Sequence, residues 1–169
     1  TRFALPIMSL ILIAVPAAQA QDQSPVTSIV ESWIASPHGD RKAEAFAHWN
    51  EEGAVPEDCA TCHSGPGLMD FLGADGSMAG KVDAPAAIEA PIDCIACHNQ
   101  AASDLEQITF PSGEIMTEAS PSAICMICHQ GRASSDTVNT AIAGGEDDAI
   151  NSELGFINVH YAASAATMF

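Results

Sequence analysis

Six cysteines and three histidines of this 169-residue chain fall into one repeated pattern: Cys59-Ala-Thr-Cys62-His63, Cys94-Ile-Ala-Cys97-His98 and Cys125-Met-Ile-Cys128-His129. Cys-x-x-Cys-His is the attachment signal for c-type haem. The two thiols are placed to form thioethers with the haem vinyl groups, and the adjacent imidazole to ligate the iron from the proximal side. Three copies consume all six cysteines. A disulfide framework has no reason to place His after every second Cys. Zinc wants four ligands per closed site, and three identical half-sites cannot pair off evenly. The spacing therefore predicts three haem c groups, bound through Cys59, Cys62, Cys94, Cys97, Cys125 and Cys128, with His63, His98 and His129 as proximal ligands.

The three remaining histidines, His38, His48 and His160, match the haems in number. They are the candidate distal ligands, one per iron, with no sequence signal for which serves which. Met69, Met78, Met116, Met126 and Met168 compete for those positions, although Met ligation raises a haem's potential. Arg132, three residues beyond His129, is the candidate contact for a haem propionate. Asp70, Asp75 and Asp83, and the run Glu146-Asp147-Asp148, supply oxygen ligands of the kind calcium takes, but their spacing misses the EF-hand pattern and solvated loop acids are expected.

The elements that must position these groups are few. Asp40 to Asn50 reads as a helix with Asp40 as N-cap, ending by Gly53, and its apolar side carries Ala43, Phe46, Ala47 and Trp49. Each haem motif should form a helical turn, the third capped by Ser122. Ser152 to Phe169 reads as a final Ala-rich helix carrying His160. Ser64–Ala90 and Gln100–Ser120 read as loops with scattered turns. The gaps between motifs are 30 and 26 residues, with no further internal repeat.

Arg2 followed by the apolar run Phe3 to Val15, then Ala18-Gln-Ala20, has the form of a secretory signal peptide over residues 1–20, cut short at its start. Residues 21–169 then form a single haem-binding domain. Removing Arg2 from the full chain's formal charge of −17 leaves −18, with only Arg41, Lys42, Lys81 and Arg132 against 22 acids. Such a field excludes nucleic acid and anionic lipid as partners, and favours redox proteins with cationic docking surfaces. It also stabilises ferric over ferrous iron, which predicts low potentials. Aromatic residues make up only 5% of the chain, too few for a conventional core. About 50 residues per haem suffice for one layer of polypeptide around each. The expected fold is mainly α with long irregular loops and little β-structure, in which the haems form the core and the apo-chain is largely unfolded.

Several phrases carry a family resemblance: Ser36-Pro-His38-Gly-Asp40, Ala45-Phe-Ala-His48-Trp49, Cys59 to Ser64, Asp70-Phe-Leu-Gly-Ala-Asp-Gly-Ser77, Phe110-Pro-Ser-Gly113, Cys128-His-Gln-Gly-Arg132 and Asn158-Val-His-Tyr-Ala-Ala163. Together they resemble the N-terminal part of large exported multihaem cytochromes of the octahaem tetrathionate reductase-like group. The resemblance implies further haem motifs downstream, so that this chain is expected to be the N-terminal fragment of a longer protein of anaerobic respiration.

Two classes of function follow. The first is low-potential electron transfer in the bacterial periplasm or at the cell exterior, where the chain supplies ligands and spacing rather than a substrate pocket. The second is a haem-containing reductase of a sulfur or nitrogen oxyanion, which needs an open iron and cationic groups. With four basic residues the chain favours the carrier over the enzyme. A subunit of a conductive cytochrome filament is a further alternative.

Overall fold

A computed structural model describes residues 25–146 and 148–164. The expected signal peptide, Asp147, Met168 and the end of the expected final helix lie outside the described residues. Short helices dominate: α1 (Pro25–Ile34), α2 (Glu44–Ala47), α3 (Glu57–His63), α4 (Gly65–Phe71), α5 (Cys94–Cys97), α6 (Gln100–Ser103), α7 (Ala123–Cys128), α8 (Ser135–Ala141) and α9 (Tyr161–Ser164). One antiparallel hairpin, β1 (Gln107–Thr109) with β2 (Ile115–Thr117), is the only sheet among the described residues, with Ile108 opposite Met116. The mainly helical, irregular fold with little β-structure is as expected. Among the described residues no helix is long and apolar enough to cross a membrane.

The expected helix over residues 40–50 shrinks to α2. Asp40 instead opens a turn, its carboxylate accepting the Lys42 N–H at 2.9 Å and its carbonyl accepting the Ala43 N–H. Ala43 then takes an extended ψ of 140°, so the helix can begin only at Glu44. Phe46 on its apolar side is buried, as its spacing suggested, and Gly53 closes the segment in a left-handed conformation that suits glycine. α1 was not foreseen. Proline at its first position fits a helix start, and Trp33 ties it down by donating to the Ile92 carbonyl at 2.8 Å.

All three motifs do form helical turns, α3, α5 and α7. Glu57 and Asp58 lie in the first turn of α3, where negative charge suits the helix dipole. Asp93 caps α5, accepting the Ala96 N–H at 3.0 Å. Ser122 stands at the N-cap of α7, but it has helical backbone angles and its side chain makes no capping bond, contrary to expectation.

The stretch 64–90 is more ordered than a loop, because α4 follows α3 after the single residue Ser64. That corner depends on two glycines. A Cβ at Gly67 would stand 2.4 Å from the Ala60 carbonyl oxygen, and one at Gly65 2.5 Å from that of Pro91. Buried Ser64 donates to the Ala87 carbonyl at 3.0 Å and holds the far strand of chain against the corner. Asp70 departs from the expectation of a solvated acid. It is buried, accepting from Ser77 Oγ at 2.9 Å and from the Asp83 N–H at 3.1 Å, so its two carboxylate oxygens close the following loop. Residues 100–120, also expected as loop, contain α6, capped by Asn99, and the hairpin.

The core comprises two small clusters. One joins Phe46, Leu68, Leu72, Ile92, Ala96, Ile108 and Ile127, among others; the second is Val55, Ala60 and Val82. One intervening residue of each motif, Ala60, Ala96 or Ile127, is buried in them, which anchors every motif from behind.

Where the final helix was expected to begin, the chain is irregular over 151–160, and among the described residues of that stretch only α9 is helical. Asn158 and the β-branched Ile157 and Val159 disfavour helix. The Asn158 side chain accepts the His160 N–H at 3.1 Å, and His160 adopts φ 54°. The Arg132 N–H donates to the Val159 carbonyl at 3.2 Å, lashing this segment to the end of the third motif.

Candidate haem-binding site

The six motif cysteines are all free thiols. α3 packs against α7, bringing the first motif to the third. The contact is reciprocal: Cys62 Sγ lies 3.9 Å from the Ile127 carbonyl oxygen, and Cys128 Sγ 3.6 Å from that of Thr61. The proximity of the two thiols lowers the pKa of Cys62 and, with burial, pushes that of Cys128 far up. Burial raises the Cys97 thiol as well, with smaller repulsion from Cys125, Asp93 and Cys94.

His63 donates through Nδ1 to the Ala45 carbonyl at 2.7 Å. That bond fixes the ring and its tautomer and leaves Nε2 as the lone-pair nitrogen, the arrangement that prepares an imidazole for a metal. Burial lowers its pKa, opposed by the Ala45 bond and aided by nearby His160, His48 and Arg132, which favours the neutral ring that can ligate.

Two pairs of imidazoles oppose each other. His63 and His160 have ring centroids 6.4 Å apart with planes at 73°, and His38 and His129 have centroids 6.0 Å apart with planes at 75°. Two imidazoles bound to one metal through bonds of about 2.0 Å place their ring centres about 6 Å apart. Both pairs meet that span. Each joins a motif histidine to one of the three spare histidines, from opposite ends of the chain.

The third spare, His48, is placed differently. Its ring is 4.6 Å from Trp49, which in turn lies 5.0 Å from His63, and its Nδ1 is 2.9 Å from Glu44 Oε1. It thus flanks the first motif. Among the described residues no imidazole stacks on His98. Met69 and Met126 pack against the core, and Met78 is 77% exposed.

Arg132 follows the third motif in sequence, yet acts electrostatically on Cys62 and His63 of the first. A cavity of about 560 Å³ is lined by residues on both sides of His38, including Pro37, Gly39 and Arg41. A second, of about 730 Å³, is lined by Gln130, Val159 and Tyr161, next to His129 and His160 in sequence.

The residues fit haem c. Six unpaired thiols stand at the attachment spacing, His63 presents Nε2, and two histidine pairs have the span of one iron. In addition, His160 Nδ1 is buried without a partner, a costly state for a polar atom that has no ligand. Among the described residues no three His, Cys, Asp or Glu side chains gather to hold a metal ion by themselves.

Residues 86–134 match the family described as the doubled CXXCH motif, a range that covers the second and third motifs. The match fits a multihaem c-type cytochrome. No curated protein and no solved structure matches the chain, so the resemblance to the octahaem tetrathionate reductase-like group gains no homologue. The groups that the local sequence pattern does not reveal are Ala45, whose carbonyl orients His63, and Gly67, which lets α4 approach the first motif. The phrase Ser64-Gly-Pro-Gly67 was the available signal, since glycine recurs where backbones approach closely.

Proposed function

We propose that the chain is an exported electron carrier that holds three haems at low potential and works in the periplasm or at the cell exterior. Cys59 and Cys62, Cys94 and Cys97, and Cys125 and Cys128 carry the thioethers. His63, His98 and His129 are the proximal ligands. His160 completes the iron of the first motif and His38 that of the third, whereas His48 stands beside the first motif rather than the second. The observation that carries this reading is the pair of opposed imidazoles, His63 with His160 and His38 with His129. Two imidazoles on one iron leave no position for a substrate, and the haem supplies reversible one-electron chemistry.

The residues around the site then act through spacing, burial and field. Ala45 holds His63 in register, and Arg132 offsets propionate charge beside the first motif. The acidic surface supports a low potential and a cationic redox partner.

The test is the spin state of the ferric holo-protein, by electron paramagnetic resonance and visible spectroscopy before and after reductant and carbon monoxide. Low-spin haems that ignore carbon monoxide are expected at the first and third motifs. High-spin, carbon monoxide-binding haem at either would sink the assignment of its histidine pair.

A further inference from the structure

Resting on the haem-carrier reading above, we infer that the third motif is the junction of the relay, so that the haem sites run in space in the order first, third, second rather than in chain order. Cys128 meets Cys62 of the first motif through the reciprocal sulfur–carbonyl contacts at 3.9 and 3.6 Å. The third motif also shares a core with the second, where Ala96 and Cys97 pack in one cluster with Ile127 and Cys128. The second motif packs instead against α4, which follows the first.

The chemistry of attachment converts these sulfur positions into an order. Each thiol adds across a vinyl C=C: sulfur bonds to the inner carbon and the hydrogen goes to the terminal one, so nothing is oxidised or reduced. A thioether sulfur therefore marks the edge of its own porphyrin. Where Cys62 and Cys128 touch, the edges that they hold are brought together. Electrons that enter at the second motif reach the first through the third.

The holo-protein is first weighed by mass spectrometry and its low-spin signals recorded. A mass short of three haems, or high-spin signals at the first and third motifs, would count against the carrier reading itself. His160→Met and His38→Met then identify the first and third haems, because Met raises the potential of the iron it ligates and that signal is lost first on reduction. In a redox titration of His160→Met, early reduction of the first haem should shift the midpoint of the third and leave the second unmoved. A shift at the second haem, or at neither, overturns the order.

Soret circular dichroism gives an independent check should the Met variants not fold. A split, two-signed band is expected to survive Cys94→Ser/Cys97→Ser, which removes the second haem. It should vanish in Cys125→Ser/Cys128→Ser. A couplet that persists without the third haem, or is lost with the second, overturns the junction.

Discussion

His63 and His160 stand ninety-seven positions apart in the chain, yet their rings meet edge-on with centroids 6.4 Å apart. The Arg132–Val159 hydrogen bond ties down the segment that carries His160, and the Ala45 carbonyl holds the His63 ring. His160→Ala should therefore turn one haem high-spin and open it to carbon monoxide without detaching it, since both thioethers remain. His38→Ala should do the same at the third motif. Spectra of the two variants, with haem content measured by mass, check both.

The ring planes in the two pairs are 73° and 75° apart. Nearly perpendicular axial imidazoles leave the iron d-orbitals close in energy and make the low-spin ferric signal strongly anisotropic. Frozen-solution spectra of the oxidised holo-protein should show signals with one very large g value. Compact rhombic signals alone would mean that the rings turn parallel on binding iron.

His48→Ala tests the third spare histidine. Because its ring stands against Trp49 beside the first motif, its loss is expected to leave every low-spin signal in place, and a new high-spin haem would make it a ligand. An unchanged spectrum would assign His48 to the Trp49 and Glu44 contacts it makes.

Gly67 has no room for a side chain against Ala60. Gly67→Ala must push α4 from the first motif, with a cost of about 1–3 kcal/mol from overpacking. Thermal unfolding of the holo-protein should show the loss, and the first haem's signal should broaden while the others hold.

The formal charge of −17 implies steering of cationic partners. Stopped-flow reduction by a basic redox protein should slow steeply between low salt and physiological salt, where the screening length falls to about 8 Å. A rate insensitive to salt would show that the acidic surface plays no part in docking.

The attachment spacing stands out in the sequence, because covalent haem chemistry demands both residue types at fixed positions. The scarcity of histidine also made His38 and His160 visible as ligand candidates. Their pairing was not, since it depends on how 151–160 returns across the third motif, and no local pattern encodes that return. Helix boundaries failed where single residues decide them: Ala43 turns extended, and Asn158 with its β-branched neighbours keeps 151–160 from forming helix. Asp70 read as a surface acid because burial through Ser77 and the Asp83 backbone leaves no periodic trace.

The lash between Arg132 and Val159 bears on the order in which the protein is completed. On the proposed ligation, His38 precedes its partner motif, so a haem joined to Cys125 and Cys128 would find its second imidazole already made. The first motif would be in the opposite position, because its haem could be attached long before His160 emerges. Until residues 151–160 arrive and are tied down, that iron would be held from one side only. The first site would then be the earliest to be filled and among the last to be sealed.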